Sequence, residues 1–159
     1  VVAARFLDLF AGTGAVGIEA LSRGAAEAVF VERSGVALRT VRENLIHTGL
    51  SDGGRIERAD VFRFLARPPT SYDFLYVAPP QYRGLWADTL RVLDGQLGWL
   101  YDDGTIIVQI DPREYEALPL KALAEFDRRT YGSVMLCFYH RVAVDTALPS
   151  DVPDQPSQS

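Results

Sequence analysis

Short apolar blocks at Phe6–Phe10, Ala28–Glu32, Arg55–Ala59, Phe74–Val77 and Thr105–Ile110 alternate with longer segments in which apolar residues recur at helical spacing. The blocks are too brief for helices and end at turn signals, so they predict strands. Between them the period predicts helices over Ala15–Arg23, stopped by Gly24, and over Gly35–Thr48, stopped by Gly49. A short helical turn over Val61–Ala66 and a helix over Leu85–Gln96 follow, and Asp103-Gly104 marks a turn before the fifth strand. Strand and helix in strict alternation imply a mostly parallel sheet covered on both faces.

The last third breaks the alternation. A short helix is expected over Glu114–Leu118, then strands over Leu123–Thr130 and Val134–Val142 separated only by Tyr131-Gly132-Ser133. So tight a link forces an antiparallel hairpin, because a parallel crossover needs a dozen or more residues. The expected fold is therefore α/β and Rossmann-like, with a seven-stranded, mostly parallel sheet closed by a C-terminal antiparallel hairpin. Residues 1–143 form the expected domain, and residues 144–159, rich in Pro, Ser and Asp, read as a tail.

The strand-to-helix turn after the first block reads Asp-Leu-Phe-Ala-Gly-Thr-Gly-Ala-Val-Gly over Asp8–Gly17. Gly12, Gly14 and Gly17 fit the G-x-G-x-x-G spacing of nucleotide-binding turns, and Glu32 follows about 20 residues on, where a carboxylate meets ribose hydroxyls. A nicotinamide-dependent oxidoreductase is one reading of this pattern. Asp8 opposes it, because a pyrophosphate docks on backbone N–H groups and a carboxylate beside it repels it. A ligand carrying an ammonium and a sulfonium needs that anion, which points to S-adenosylmethionine. The closing hairpin also departs from a dehydrogenase sheet, which continues with another crossover helix.

Bulk properties narrow the class. The 159 residues carry a net charge of −5, against broad non-specific binding to nucleic acid, and Lys121 is the single lysine among 16 basic residues. Cys137 is the one cysteine and lies in an apolar run, so it reads as a core thiol; His47 and His140 are far apart, and no metal site is expected. No apolar run reaches about 18 residues, so no membrane span is expected and the cytoplasm is the default compartment. The chain starts at Val1, almost at the first strand, which suggests a further N-terminal segment in the full protein.

The run Asp8 to Gly24, continuing from the glycine turn through Ile-Glu-Ala-Leu-Ser-Arg-Gly, closely resembles the first motif of the RsmD-type family. Those are S-adenosylmethionine-dependent guanine-N2 methyltransferases acting on 16S ribosomal RNA. The resemblance extends through Val31-Glu32-Arg33, Asn44-Leu45, Ala59-Asp60-Val61-Phe62 and Tyr72–Tyr82 to the hairpin at Tyr131-Gly132. It implies a cofactor site made of Asp8, Phe10, Ala11, Gly12, Thr13, Gly14, Glu32, Arg33, Asp60, Val61 and Phe62. Asp8 would accept from the methionine ammonium, Gly12 and Gly14 would leave room for the methionine moiety, and Gly17 would let the next helix pack tightly. Glu32 would hold the ribose and Asp60 the adenine amine, with Val61 and Phe62 flanking the ring; Asp60 as a helix cap is the alternative.

The reaction centre implied is Ala78-Pro79-Pro80-Gln81-Tyr82. Two prolines remove backbone donors and leave carbonyls to accept from an exocyclic amine, and Tyr82 would stack on the base. The family usually has Asp or Asn where this chain has Ala78. An adenine-N6 methyltransferase and a binding protein with weak or no catalysis are the rival readings. Implied partners are 16S ribosomal RNA, alone or within a small-subunit assembly particle; S-adenosyl-L-homocysteine is the implied product, and a monomer is expected. Arg5, Arg33 and Arg83 are candidate phosphate contacts.

Overall fold

The computed structural model describes residues 3–143, so the expected tail at 144–159 lies outside the described residues. Strands β1 (Arg5–Asp8), β2 (Glu27–Glu32), β3 (Gly54–Arg58), β4 (Tyr72–Val77), β5 (Leu100–Ile110), β6 (Leu123–Tyr131) and β7 (Val134–Arg141) form one sheet in the order β3-β2-β1-β4-β5-β7-β6. Helices α1 (Ala15–Ser22), α2 (Gly35–Thr48), α3 (Val61–Leu65) and α4 (Leu85–Asp94) connect the first five strands. Strands β1 to β5 run parallel, and β7 is antiparallel to both β5 and β6.

Alternation along the strands sorts the core into two layers. Leu7, Leu75, Val77, Ile106 and Val108 share one cluster with Trp86 and Leu90 of α4, whereas Phe6, Ala28, Phe30 and Tyr76 share the other with α1 and α2. Gly17 is what brings α1 down onto the sheet: a Cβ there would lie 2.4 Å from the Phe30 ring. Gly17→Ala is expected to lower stability by about 1–3 kcal/mol through overpacking, seen as a lower thermal midpoint.

The chain moves outward from β1 to β2 and β3, then returns to place β4 on the other side of β1. Helices therefore leave β1 and β4 toward opposite faces and open a crevice at the carboxyl ends of the strands, where such sheets bind ligands. Local signals end the elements: Ser34 caps α2 by accepting from the Ala37 N–H at 3.2 Å, and Gly49 closes it at φ 72°.

Three expectations are corrected. Asp103-Gly104 is not a turn ahead of β5 but part of a bulge: Tyr72 pairs with Leu100 and Phe74 with Thr105, so residues 101–104 loop out of register. Gly104 fits because a Cβ there would lie 2.5 Å from Leu100 and 3.1 Å from the Asp73 carbonyl. The helix expected over Glu114–Leu118 is a single 3₁₀ turn, Pro112–Glu114, started by an Asp111–Glu114 capping box. The helix expected to reach Gln96 ends at Asp94, whose carboxylate accepts from the N–H groups of Lys121, Ala122 and Leu123. That contact ties α4 to the start of β6.

Candidate active site

The crevice holds a cleft of about 470 Å³ lined by Phe10, Gly12, Glu32, Arg33, Asp60, Val61, Phe62, Ala78, Pro79 and Pro80, together with Arg83 and neighbouring apolar residues. A volume of this size suits a small-molecule ligand. Of the residues expected at the site, Asp8, Ala11, Thr13, Gly14 and Tyr82 are not among its walls.

The glycine turn is shaped by its neighbours. Gly12 takes φ 56° and Gly14 φ 83°. A Cβ at Gly12 would meet nothing within 4 Å, so its side faces open space, whereas a Cβ at Gly14 would lie 3.2 Å from Val41. Gly14 thus makes room for α2 rather than for the cleft. The Asn44 side chain on α2 donates to the Thr13 carbonyl at 3.1 Å and pins the turn from outside.

Glu32 is more than a strand end. Its Oε1 accepts from the Gly12 N–H at 3.1 Å and its Oε2 from the Ser34 N–H at 2.8 Å, so one carboxylate joins the glycine turn to the start of α2. An ionised carboxylate has about four acceptor sites, which leaves capacity facing the cleft. Asp60 caps α3: its Oδ2 accepts from the N–H groups of Phe62 and Arg63 at 3.0 and 3.2 Å. The Phe62 N–H is therefore committed to the cap.

Asp8 ends β1 and is only 2% exposed, and its Oδ1 has no hydrogen-bond partner. Burial pushes its carboxyl up to about 7; the Phe10 N–H opposes this and the charge of Glu32 adds to it. A buried carboxylate lacking a partner is costly, and a cation delivered to Oδ1 relieves that cost. On the same side of the sheet, the Tyr76 hydroxyl pairs with the Gln109 side chain, and burial plus the Asp8 charge push the phenol up to about 12.

Tyr82 is held away from the cleft, 58% exposed, with its backbone at φ 63°. Its N–H donates to Glu114 Oε1 at 2.7 Å, and its hydroxyl donates to Asp111 Oδ2 at 3.0 Å while accepting from Arg113 at 2.6 Å. The Arg113 guanidinium, then the Arg113 backbone N–H and the Tyr82 hydroxyl, hold the Asp111 carboxyl well below the usual carboxylate range. Sequence reading did not find Asp111, Arg113 and Glu114 as partners of the loop. The available signal was the Asp-Pro-Arg-Glu capping pattern at a strand end. Glu114→Gln is expected to speed hydrogen exchange at the Tyr82 amide about tenfold, as a charged acceptor is lost.

Arg5 lies at the amino end of β1, opposite the cleft. Its guanidinium pairs with Glu27 at 3.0 Å, donates to the Ser71 carbonyl at 2.6 Å and lies over the Tyr72 ring. It is therefore bound in structure and is not a phosphate contact at the site. Cys137 is buried and its thiol is pushed up to about 12 by burial. Among the described residues no group of His, Cys, Asp and Glu is arranged to hold a metal, and no helix is long and apolar enough to cross a membrane.

The strand order, the reversed β7 and the cleft at the crossover define a class I methyltransferase fold. The solved structure of yhhF from Escherichia coli superposes with a TM-score of 0.80 at 31% identity, covering 88% of this chain and 77% of that one. Residues 1–140 match the model of the family described as Conserved hypothetical protein 95, and the chain belongs to that family. Ribosomal RNA small subunit methyltransferase D of Escherichia coli (strain K12) is 38% identical over 109 residues, which are 69% of this chain and 54% of that protein. YlbH of Bacillus subtilis (strain 168) is 36% identical over 142 residues, covering 86% of this chain and 76% of that protein. The chain thus spans about half the length of the first of these relatives.

Proposed function

We propose that this chain carries the catalytic domain of an S-adenosylmethionine-dependent methyltransferase acting on the N2 amine of a guanine in 16S ribosomal RNA. One observation carries the reading: a single cleft brings the acidic residues Glu32 and Asp60 together with the Ala78-Pro79-Pro80 loop. The family, and its relative named for methylating small-subunit ribosomal RNA, support the substrate class. We place the enzyme in the cytoplasm as a monomer and take free RNA or an assembly particle as its substrate.

When bound, S-adenosylmethionine supplies a methyl group on positively charged sulfur. The chain's residues position and discriminate. Asp8 accepts from the ammonium through its free Oδ1, the unused lone pairs of Glu32 accept from ribose hydroxyls, and Phe10 and Phe62 wall the cleft with apolar surface. The carbonyls of Ala78 and Pro79 accept from the exocyclic amine of the base. Those bonds turn the nitrogen lone pair out of the ring and orient it, an effect that contributes several kcal/mol to lowering a barrier.

Calorimetry with S-adenosylmethionine and with NAD, followed by mass mapping of rRNA fragments after incubation, tests the proposal. Binding of S-adenosylmethionine, none of NAD, and one guanine-containing fragment heavier by a methyl group is the expected result. Preferential NAD binding would overturn the cofactor. An unchanged mass in every fragment, with the cofactor bound, would instead favour a binding protein with weak or no catalysis, the reading that Ala78 supports.

A further inference from the structure

Charge pairing on this molecule is lopsided. All 15 arginines fall within the described residues. Nine pair with a carboxylate: Arg5, Arg23, Arg55, Arg67, Arg91, Arg113, Arg128, Arg129 and Arg141. The other six, Arg33, Arg39, Arg42, Arg58, Arg63 and Arg83, have no carboxylate partner among the described residues. Two of those six line the cleft, and two more are chain neighbours of residues that line it. Arg33 and Arg83 line it, Arg58 is the last residue of β3 and precedes Ala59, and Arg63 follows Phe62 in α3. All four are exposed.

The nearby acids Glu32 and Asp60 form no ion pair with them. Both oxygens of Glu32 accept from backbone N–H groups, of Gly12 and Ser34, and Asp60 Oδ2 accepts from those of Phe62 and Arg63. On the other flank, beyond β5, Arg113, Arg128 and Arg129 are held by Asp111, Glu125 and Asp127. Three of these unpaired arginines, Arg33, Arg58 and Arg63, thus gather at the ends of β2 and β3, and Arg83 follows the Pro79-Pro80 loop after β4, in a chain whose net charge is −5. A guanidinium left without a carboxylate in an acidic chain remains available to a phosphate, which it binds bidentately.

We infer that Arg33, Arg58, Arg63 and Arg83 form a phosphate-binding rim along which the RNA backbone lies as its target base enters the Pro79-Pro80 loop. The inference rests on the RNA reading above and adds the surface and direction of approach. Strands lie about 4.8 Å apart, so the three steps from β3 to β4 span roughly 15 Å, enough for several nucleotides. The β3 side holds the backbone by charge, and the loop at the end of β4 meets the base.

The test is RNA affinity against salt for the intact protein, with a 16S rRNA transcript as probe. Arg58→Gln with Arg63→Gln is expected to weaken binding about tenfold at 0.1 M salt and to reduce the logarithmic salt slope by roughly 1.5, about 0.7 per lost phosphate contact. Neither side chain lines the cleft, so calorimetric S-adenosylmethionine binding stays at the parent value and reports intact folding. Arg91→Gln with Arg129→Gln, which removes two paired arginines, is expected to leave affinity and slope unchanged. Equal losses in both double variants would mean only general charge matters and would overturn the rim. So would parent-like binding by Arg58→Gln/Arg63→Gln, with the RNA reading left standing. A parent protein that binds S-adenosylmethionine but no RNA would remove the RNA reading and the rim together.

Discussion

Replacing Asp8 by Asn is expected to raise the melting temperature of the free protein at pH 8 by about 5 °C while weakening S-adenosylmethionine binding at least tenfold. The opposite signs have one cause. In the folded chain burial pushes the Asp8 carboxyl up to about 7, from the 3.8 usual for an aspartate. Between those values the folded state holds a proton that the unfolded state has lost, so stability falls as pH rises and levels off above pH 7. That displacement corresponds to roughly 4 kcal/mol of penalty at pH 8. Asn removes that penalty but buries an amide that costs about 1–3 kcal/mol if unpaired. The surplus of about 2 kcal/mol is worth about 5 °C in a chain of this size. As pH falls toward 4 the folded carboxyl is protonated and the penalty shrinks, so the advantage of Asn disappears. Ligand affinity in the parent should climb as pH rises toward 7, because a cationic ammonium needs the ionised form, and should then stay level. Thermal scans and calorimetry across pH 4–8 check both. Equal melting temperatures for parent and variant at pH 8 would show that the buried charge is not strained.

Ala78→Asn is expected to increase the methylation rate by about 10–100-fold with cofactor affinity unchanged, the order contributed by one well-placed polar group in an active site. Ala78 is half-buried and lines the cleft beside Pro79, so the substitution places an amide at the cleft wall. Its carbonyl would supply the acceptor that the RsmD-type pattern usually provides and this chain lacks. Single-turnover assays separate the rate from binding. A rate equal to the parent's would mean that the Ala78 and Pro79 carbonyls already orient the amine.

Much of this arrangement was legible from local pattern. Brief apolar blocks and helical spacing foretold the seven strands and their order of connection, because burial on a two-sided sheet leaves that imprint on sequence. Tyr131-Gly132-Ser133 foretold the reversal of β7, since its length permits nothing else. Gly17 foretold the close approach of α1, found against Phe30.

Other features depend on residues distant in the chain. The Asp-Gly signal at Asp103-Gly104 is a local turn preference that pairing with β4 converted into a bulge. Tyr82 carries an aromatic ring next to the Pro-Pro loop, but Asp111 and Glu114, 29 and 32 residues away, fix it outside the cleft. Sequence by itself determined which elements form and which residue types stand at the ends of β1, β2, β3 and β4, because propensity and periodicity are local. Tertiary structure alone decided which oxygen of Glu32 or Asp60 is engaged, that Asp8 keeps one free, and which arginines remain unpaired. Hydrogen bonds and ion pairs are settled by where separate elements meet in space.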